Sequence, residues 1–76
     1  MKLVEARARA LYSASALAKA AGMSRASIYD IEGGKWLPSL ETVRKLCEVL
    51  QVDPMDVDEF RAAIDKTVRG KVPAGV

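Results

Sequence analysis

The sequence predicts an all-α fold, and three observations support this prediction. Half of the 76 residues are hydrophobic but only 5% are aromatic, and abundant alanine suits closely packed helices better than a β-sandwich. Apolar residues in the second half of the chain recur at three- and four-residue spacing, as on one face of a helix. Serine, aspartate and glycine residues stand where helices would begin and end. This length allows one domain, over residues 1–69, with four or five helices and a small core.

The first two predicted helices are rich in alanine, which has the highest helix propensity. The first covers about residues 3–11. Ser13 is the predicted N-cap of the second, at about 14–21, because its hydroxyl can accept a hydrogen bond from a backbone N–H one turn on. Gly22 ends this helix, since a residue without a Cβ adopts the left-handed conformation without a clash.

The third predicted helix covers about residues 25–32, between an N-cap at Ser24 and the pair Gly33-Gly34. Two isoleucines point inward. The outward face is small and mostly polar, and comprises Arg25, Ala26, Ser27, Tyr29 and Asp30. A helix, a glycine-containing turn and a second helix with such a face suggest a helix-turn-helix DNA-binding unit.

A fourth helix is predicted after the loop at 35–38. Pro38 biases its predecessor away from helix, and Ser39 is an N-cap. The apolar residues of this helix form a strong amphipathic stripe, and they are Leu40, Val43, Leu46, Cys47 and Leu50.

The last predicted helix covers about residues 54–69. Asp53 is its N-cap, and Pro54 occupies the first helical position, where the missing N–H of proline is harmless. Its apolar stripe comprises Val57, Phe60, Ile64 and Val68. Gly70 ends the helix, and residues 70–76 are predicted to be a flexible tail.

The formal net charge of +2 is too small to indicate a nucleic-acid partner by itself, but the charges are unevenly distributed. Residues 1–45 hold eight Lys and Arg against four Asp and Glu, whereas residues 46–66 hold two against six. The basic half contains the third predicted helix. This polarity fits phosphate binding by one face, and an ordinary solvated surface explains it as well.

Several function classes are disfavoured by what the sequence lacks. Cys47 is the single cysteine, which rules out an internal disulfide, and its apolar register predicts a small buried thiol. Without histidine or a second cysteine, we expect no metal site, no cofactor and no enzymatic activity. The N-terminus lacks the apolar run of a signal peptide, and no stretch is long enough to span a bilayer. We therefore expect a cytoplasmic protein.

Seven short segments, in order along the chain, carry a family resemblance. They are Leu17-Ala18, Gly22-Met23-Ser24-Arg25, Ile28, Ile31-Glu32, Gly34-Lys35, Pro38-Ser39-Leu40-Glu41-Thr42 and Leu50-Gln51-Val52. At these spacings they resemble the lambda-repressor-like, Cro/Xre-type family of phage and bacterial regulators, over about residues 3–58. The resemblance implies a compact five-helix DNA-binding domain, here with an extended C-terminal helix.

The resemblance also implies roles for individual residues. The third helix would lie in the major groove and place these residues against base edges: Arg25, Ala26, Ser27, Tyr29 and Asp30. Arg25 can bond the O6 and N7 atoms of guanine, a contact that contributes about 1–3 kcal/mol of discrimination. Backbone amides and side chains would hold phosphates at Ser13, Ala14, Ser15, Ser24, Lys35 and Trp36.

Other residues are interpreted as structural. In relatives, a pair that matches Arg7 and Glu32 joins the first helix to the end of the recognition helix, and a phosphate contact by Arg7 is the alternative. The resemblance and the apolar pattern predict core positions at Met23, Ile28, Ile31, Leu37 and Leu40. For each of two aromatic residues, two interpretations remain open. Trp36 packs on its own loop or donates to a phosphate, and Tyr29 contacts DNA or shields the helix surface.

Three residues depart from the family pattern. Leu11 stands where relatives usually have glycine, so we expect a differently built corner after the first helix. Ala14 replaces a glutamine that helps to hold phosphate, which leaves only backbone donors there. Asp30 can accept from cytosine N4 but repels phosphate, and with Glu32 it offsets the basic residues of this face. We therefore expect a weakly electropositive face and low affinity of the monomer for DNA.

One such module buries too little DNA surface for tight binding, so we expect a homodimer on two half-sites. The stripe of the last helix either contacts a second copy or folds back on its own core, and its members are Val57, Phe60, Ile64 and Val68. The favoured hypothesis is a phage- or prophage-type repressor that binds a palindromic operator in double-stranded DNA. The alternative is a protein-interaction module, such as an antitoxin or anti-repressor partner, with weak or no DNA binding. A strong salt dependence of DNA affinity would favour the first hypothesis.

Overall fold

The computed structural model describes the backbone of residues 1–71 and the side chains of residues 1–69. The helices are α1 (Leu3–Arg9), α2 (Ala14–Ala21), α3 (Arg25–Glu32), α4 (Leu40–Leu50) and α5 (Asp58–Lys71), with a one-turn 3-10 helix (Pro54–Asp56) before α5. No strand occurs in this part of the chain. The predicted all-α fold with five helices is confirmed.

Serine side chains are the N-caps of three helices, as predicted. The Oγ atoms of Ser13, Ser24 and Ser39 accept hydrogen bonds from the backbone N–H three residues on, at 3.0, 3.1 and 3.2 Å. Each bond satisfies one of the N–H groups that the first turn of a helix leaves unpaired. These caps determine where α2, α3 and α4 begin.

The start of α1 is capped by a distant part of the chain. The side chain of Lys2 gives no cap. Instead, the N–H of Leu3 donates to Oε1 of Glu59 at 2.8 Å, and the N–H of Asp58 donates to the carbonyl of Met1 at 2.7 Å. The starts of α1 and α5 therefore hold each other in place. This contact was not predicted, because a cap 56 residues away has no local signature in the sequence.

The end of α1 corrects one expectation. Leu11 has a φ of 63°, its N–H donates to the carbonyl of Ala8, and the N–H of Tyr12 donates to the carbonyl of Arg7, both at 3.0 Å. These two bonds form a Schellman motif, which Gly22 also forms at the end of α2 with a φ of 70°. The expectation of a differently built corner is wrong, because Leu11 adopts the conformation that glycine favours. Its side chain is 92% exposed.

The segment predicted as one last helix is divided at Val57. Asp53 caps the 3-10 turn as predicted, with its Oδ1 accepting from the N–H of Met55 at 2.8 Å. Val57 then has an extended backbone, with φ −111° and ψ 121°, and its side chain is fully buried. The extended residue turns the chain so that α5 can pack beside α4.

The predicted end of the last helix is also corrected. α5 includes Gly70 and reaches Lys71, so the prediction that Gly70 stops the helix is wrong. A glycine in a helix is less favourable than alanine by only about 1 kcal/mol, which does not by itself end a helix. The other residues of the predicted tail, 72–76, lie outside the described residues.

Apolar residues from all five helices form one core. The large side chains that are fully buried are Leu3, Leu17, Ile28, Ile31, Leu46, Val57 and Phe60. α2 packs against both α3 and α4, and α5 packs against α4. This arrangement supports α3 from behind and leaves its other face in solvent.

The predicted core positions divide into two groups. Ile28 and Ile31 are buried, and Met23 is partly buried against the core, in agreement with the prediction. The prediction is wrong for Leu37 and Leu40, which are 38% and 40% exposed. The loop after α3 passes the edge of the core, where Pro38 is the buried residue, so its two leucines lie beyond the packed interior.

Candidate nucleic-acid interface

The outward face of α3 is the surface on which the predicted base-contacting residues lie. Arg25, Ala26 and Tyr29 are exposed, whereas Ser27 and Asp30 are partly buried. No hydrogen bond or ion pair within residues 1–69 involves the side chain of Arg25. Its guanidinium, at the first position of the helix, is therefore available to a ligand.

Two serine hydroxyls at the start of α3 share a hydrogen bond. The Oγ atoms of Ser24 and Ser27 lie 2.9 Å apart, and either can be the donor. Ser24 Oγ also caps the helix by accepting from the N–H of Ser27. The hydroxyl of Ser24 is thus engaged in capping the helix. The hydroxyl of Ser27 makes one hydrogen bond and can make a further one to a ligand.

The start of α2 offers backbone donors. Ser13 and Ser15 are exposed, but the side chain of Ala14 is buried in the core. The first N–H groups of a helix have no partner within the helix, and such groups bind phosphate well. Ala14 can therefore contribute only its backbone N–H to a phosphate contact.

Arg7 and Glu32 connect α1 to the end of α3. Nε and Nη2 of Arg7 donate to Oε2 and Oε1 of Glu32 at 2.7 and 3.1 Å, and Nη1 donates to the carbonyl of Tyr12 at 3.3 Å. The two side chains are only 15% and 11% exposed. The hydrogen bond to Glu32 raises the pKa of Arg7, although burial opposes the shift. This bidentate geometry engages all three nitrogens of the guanidinium within the protein.

Lys35 pairs with Asp30 on the outer side of the same helix end. Lys35 Nζ lies 3.7 Å from Asp30 Oδ1, and the two side chains are 76% and 34% exposed. Beside this pair, Trp36 is also exposed. Glu32 is paired with Arg7, and Asp30 is the carboxylate of α3 that pairs with a basic residue of the following loop.

A family model described as a helix-turn-helix domain matches residues 2–60. The chain belongs to this helix-turn-helix family. Proteins of this kind bind DNA, and the match confirms the helix-turn-helix resemblance drawn from the sequence. Comparisons with curated proteins and with solved structures found no match.

In this helix-turn-helix domain, α2, the turn at Gly22 and α3 form the motif itself. All three were predicted from the sequence, but the pairing of Asp30 with Lys35 was not. The sequence feature that indicates this pairing is Gly34, because a glycine after a helix favours a left-handed turn. Gly34 has a φ of 76°, which reverses the chain after α3 and brings Lys35 back beside the helix. No helix in the described part of the chain has the length and apolar character needed to cross a membrane.

The apolar stripe of the last helix has two parts. Val57 and Phe60 are 0% exposed, so they fold back on the chain's own core and have no surface left for a second copy. Ile64 is partly buried, and Val68 is 52% exposed. Of the four residues predicted for dimerisation, Ile64 and Val68 alone have surface to offer a partner.

Cys47 is partly buried against the core rather than fully buried. Burial, with a smaller contribution from the negative charge of Asp53, raises the pKa of its thiol. A raised pKa keeps the thiol protonated and weakens it as a nucleophile. The residue therefore behaves as a packing residue.

Proposed function

We propose that this helix-turn-helix domain is a sequence-specific transcriptional regulator of the phage- or prophage-repressor type, and that it binds a palindromic operator as a homodimer. The observation that carries the proposal is the contrast on α3. The helix start exposes Arg25, which has no hydrogen-bond or ion-pair partner among residues 1–69, while the helix end is tied to α1 by Arg7 and Glu32. A rigidly held helix with a free arginine at its start suits base recognition in the major groove.

The exposed residues of α3 can each make a defined contact. Arg25 can donate to O6 and N7 of guanine, and the methyl group of Ala26 can pack on the thymine methyl. Ser27 can donate or accept, Asp30 can accept from cytosine N4, and Tyr29 can contact a neighbouring base edge. These contacts supply the sequence preference.

Phosphate contacts would fix the position of the domain on the duplex. The proposed contacts are the backbone N–H groups at the start of α2, the start of α3 at Ser24, the ammonium of Lys35 and the indole N–H of Trp36. They come from segments before and after α3 in the chain, and N–H donors and a lysine of this kind bind phosphate oxygens.

Dimerisation would provide the second half-site. A single small module buries less DNA surface than specific recognition needs, and two-fold dimers on half-sites about one helical turn apart are the common solution. Ile64 and Val68 support a contact between copies through α5, because both retain apolar surface beyond the packed core.

The first experiment is selection of binding sites from random-sequence duplexes by the wild type, Arg25→Ala and Arg9→Ala. Arg9 is an exposed arginine on α1, so Arg9→Ala matches the charge change away from α3. We expect the wild type to enrich a short palindrome. Arg25→Ala should relax one symmetric position, with a loss of about 1–3 kcal/mol at that base pair, and Arg9→Ala should retain the motif.

Failure to enrich any motif at low salt would contradict the operator proposal. It would favour the alternative of a protein-interaction module that uses α5 and the acidic stretch 46–66. The salt dependence of binding separates the two, because phosphate contacts make affinity fall steeply with salt.

A further inference from the structure

The outward face of α3 carries one carboxylate, and the structure pairs it with a cation from the following loop. The backbone N–H of Lys35 donates to the carbonyl of Asp30 at 2.9 Å, which turns the chain back along the helix. Lys35 Nζ then lies 3.7 Å from Asp30 Oδ1. The lysine is the more exposed partner, so its ammonium can leave the pair while the carboxylate stays with α3.

This pair has little to do with folding. Exposed ion pairs stabilise a protein weakly, because water and salt screen them. Asp30 also lies near the C-terminal end of α3, where the helix dipole disfavours a negative charge. A contribution of the pair is therefore expected in binding rather than in stability.

We propose that Asp30 and Lys35 together act as a filter against non-cognate DNA, an inference that rests on the proposed function. On any duplex, a phosphate competes with Asp30 for the ammonium of Lys35. When the ammonium moves to the phosphate, the carboxylate of Asp30 is left in the groove without its cation. A donor such as cytosine N4 compensates it, whereas the acceptor atoms of guanine and thymine repel it.

Asp30 consequently lowers affinity for most sequences more than for its own site. Specificity is a difference between two affinities, and a repulsive contact with the wrong partner increases that difference. Removal of the charge should strengthen binding to unrelated DNA while it gives no gain on the operator. Asp30 is thus a specificity-determining residue, and Lys35 sets how strongly it acts.

The test compares Asp30→Asn with Asp65→Asn. Asp65 pairs with Nε of Arg69 at 3.2 Å on α5, so the control makes the same chemical change and the same change in net charge away from α3. Dissociation constants are measured for the selected operator duplex and a scrambled duplex at several salt concentrations. We expect Asp30→Asn to reduce the ratio of operator to scrambled affinity about tenfold, chiefly through tighter binding of the scrambled duplex. Asp65→Asn should leave the ratio unchanged.

Lys35→Ala, introduced into the wild type and into Asp30→Asn, completes a double-mutant cycle. It should reduce the slope of log affinity against log salt by about one, and it should weaken scrambled binding more in Asp30→Asn than in the wild type, because Lys35 then has no competing partner. An unchanged ratio in Asp30→Asn, with a wild type that still selects a motif, would overturn the filter and leave operator binding intact. A wild type that selects no motif would remove both proposals.

Discussion

The two ends of α3 are held in different ways. At the start, one local cap from Ser24 orders the first turn, and the side chain of Arg25 is exposed, with no polar partner in the described part of the chain. At the end, Glu32 accepts two hydrogen bonds from Arg7 of α1, and a third donor of Arg7 reaches the carbonyl of Tyr12. The start is open to solvent, and the end is tied into the tertiary structure.

This difference indicates that the end of α3 orients the helix and that its start is available to contact a ligand. α3 has eight residues, and isolated helices of that length are marginal in water. Its direction must therefore come from packing and from the Arg7–Glu32 contact. An end anchored in this way lets the open start present side chains to a ligand at a constant angle.

The largest effect is expected from breaking the anchored end with Glu32→Gln. The substitution leaves the guanidinium of Arg7 partly buried beside a neutral acceptor, so the free energy of unfolding should fall by about 2 kcal/mol. Urea unfolding measures the change. The control is Glu41→Gln, which breaks the exposed pair with Lys45 and should lower stability by less than about 1 kcal/mol. Equal losses in the two variants would contradict a structural role for Glu32.

An intermediate effect is expected at the open end with Ser24→Ala. Loss of the cap to the N–H of Ser27 should lower the free energy of unfolding by about 1 kcal/mol. It should also weaken DNA binding, because the turn that carries Arg25 loosens. Ser39→Ala removes the corresponding cap of α4 and should cause a similar loss of stability while DNA affinity stays near that of the wild type. Parallel losses of DNA affinity in both variants would refute the special role of the α3 start.

The smallest effect is expected from Leu11→Gly, which relieves backbone strain in the turn beside the anchored end of α3. The left-handed turn at Leu11 places the carbonyl of Tyr12 against Arg7, and leucine is strained in it. Glycine relieves this strain but adds freedom to the unfolded chain, so we expect a net stabilisation of about 0.5–1 kcal/mol. The side chain is almost fully exposed, so its removal forfeits little burial.

The matched control for this prediction is Gly22→Ala, which replaces the glycine in the corresponding left-handed turn at the end of α2. Space around Gly22 is open, with no atom within 4 Å of an added Cβ, so only the left-handed backbone should oppose alanine. Thermal unfolding should show a loss of about 1 kcal/mol. A loss of stability in Leu11→Gly would show that the leucine side chain makes a contact that offsets its strain.

Local features of the sequence were sufficient to predict most of the fold. The caps at Ser13, Ser24 and Ser39 and the turn at Gly22 depend on atoms within four residues, so the sequence itself contains all the partners. The division of the last helix was missed, because the extended backbone of Val57 depends on burial against a core that only the folded chain creates.

The candidate interface was only partly predictable for the same reason. The sequence by itself determined α2, α3 and α4, the caps that begin them and which residues α3 can display, because those properties follow from local hydrogen bonding and periodicity. The tertiary structure alone decided the cap that Glu59 gives to α1, the exposure of Leu37 and Leu40, and the pairing of Lys35 with Asp30. These features depend on which surfaces meet when the helices pack, and that information is spread over the whole chain.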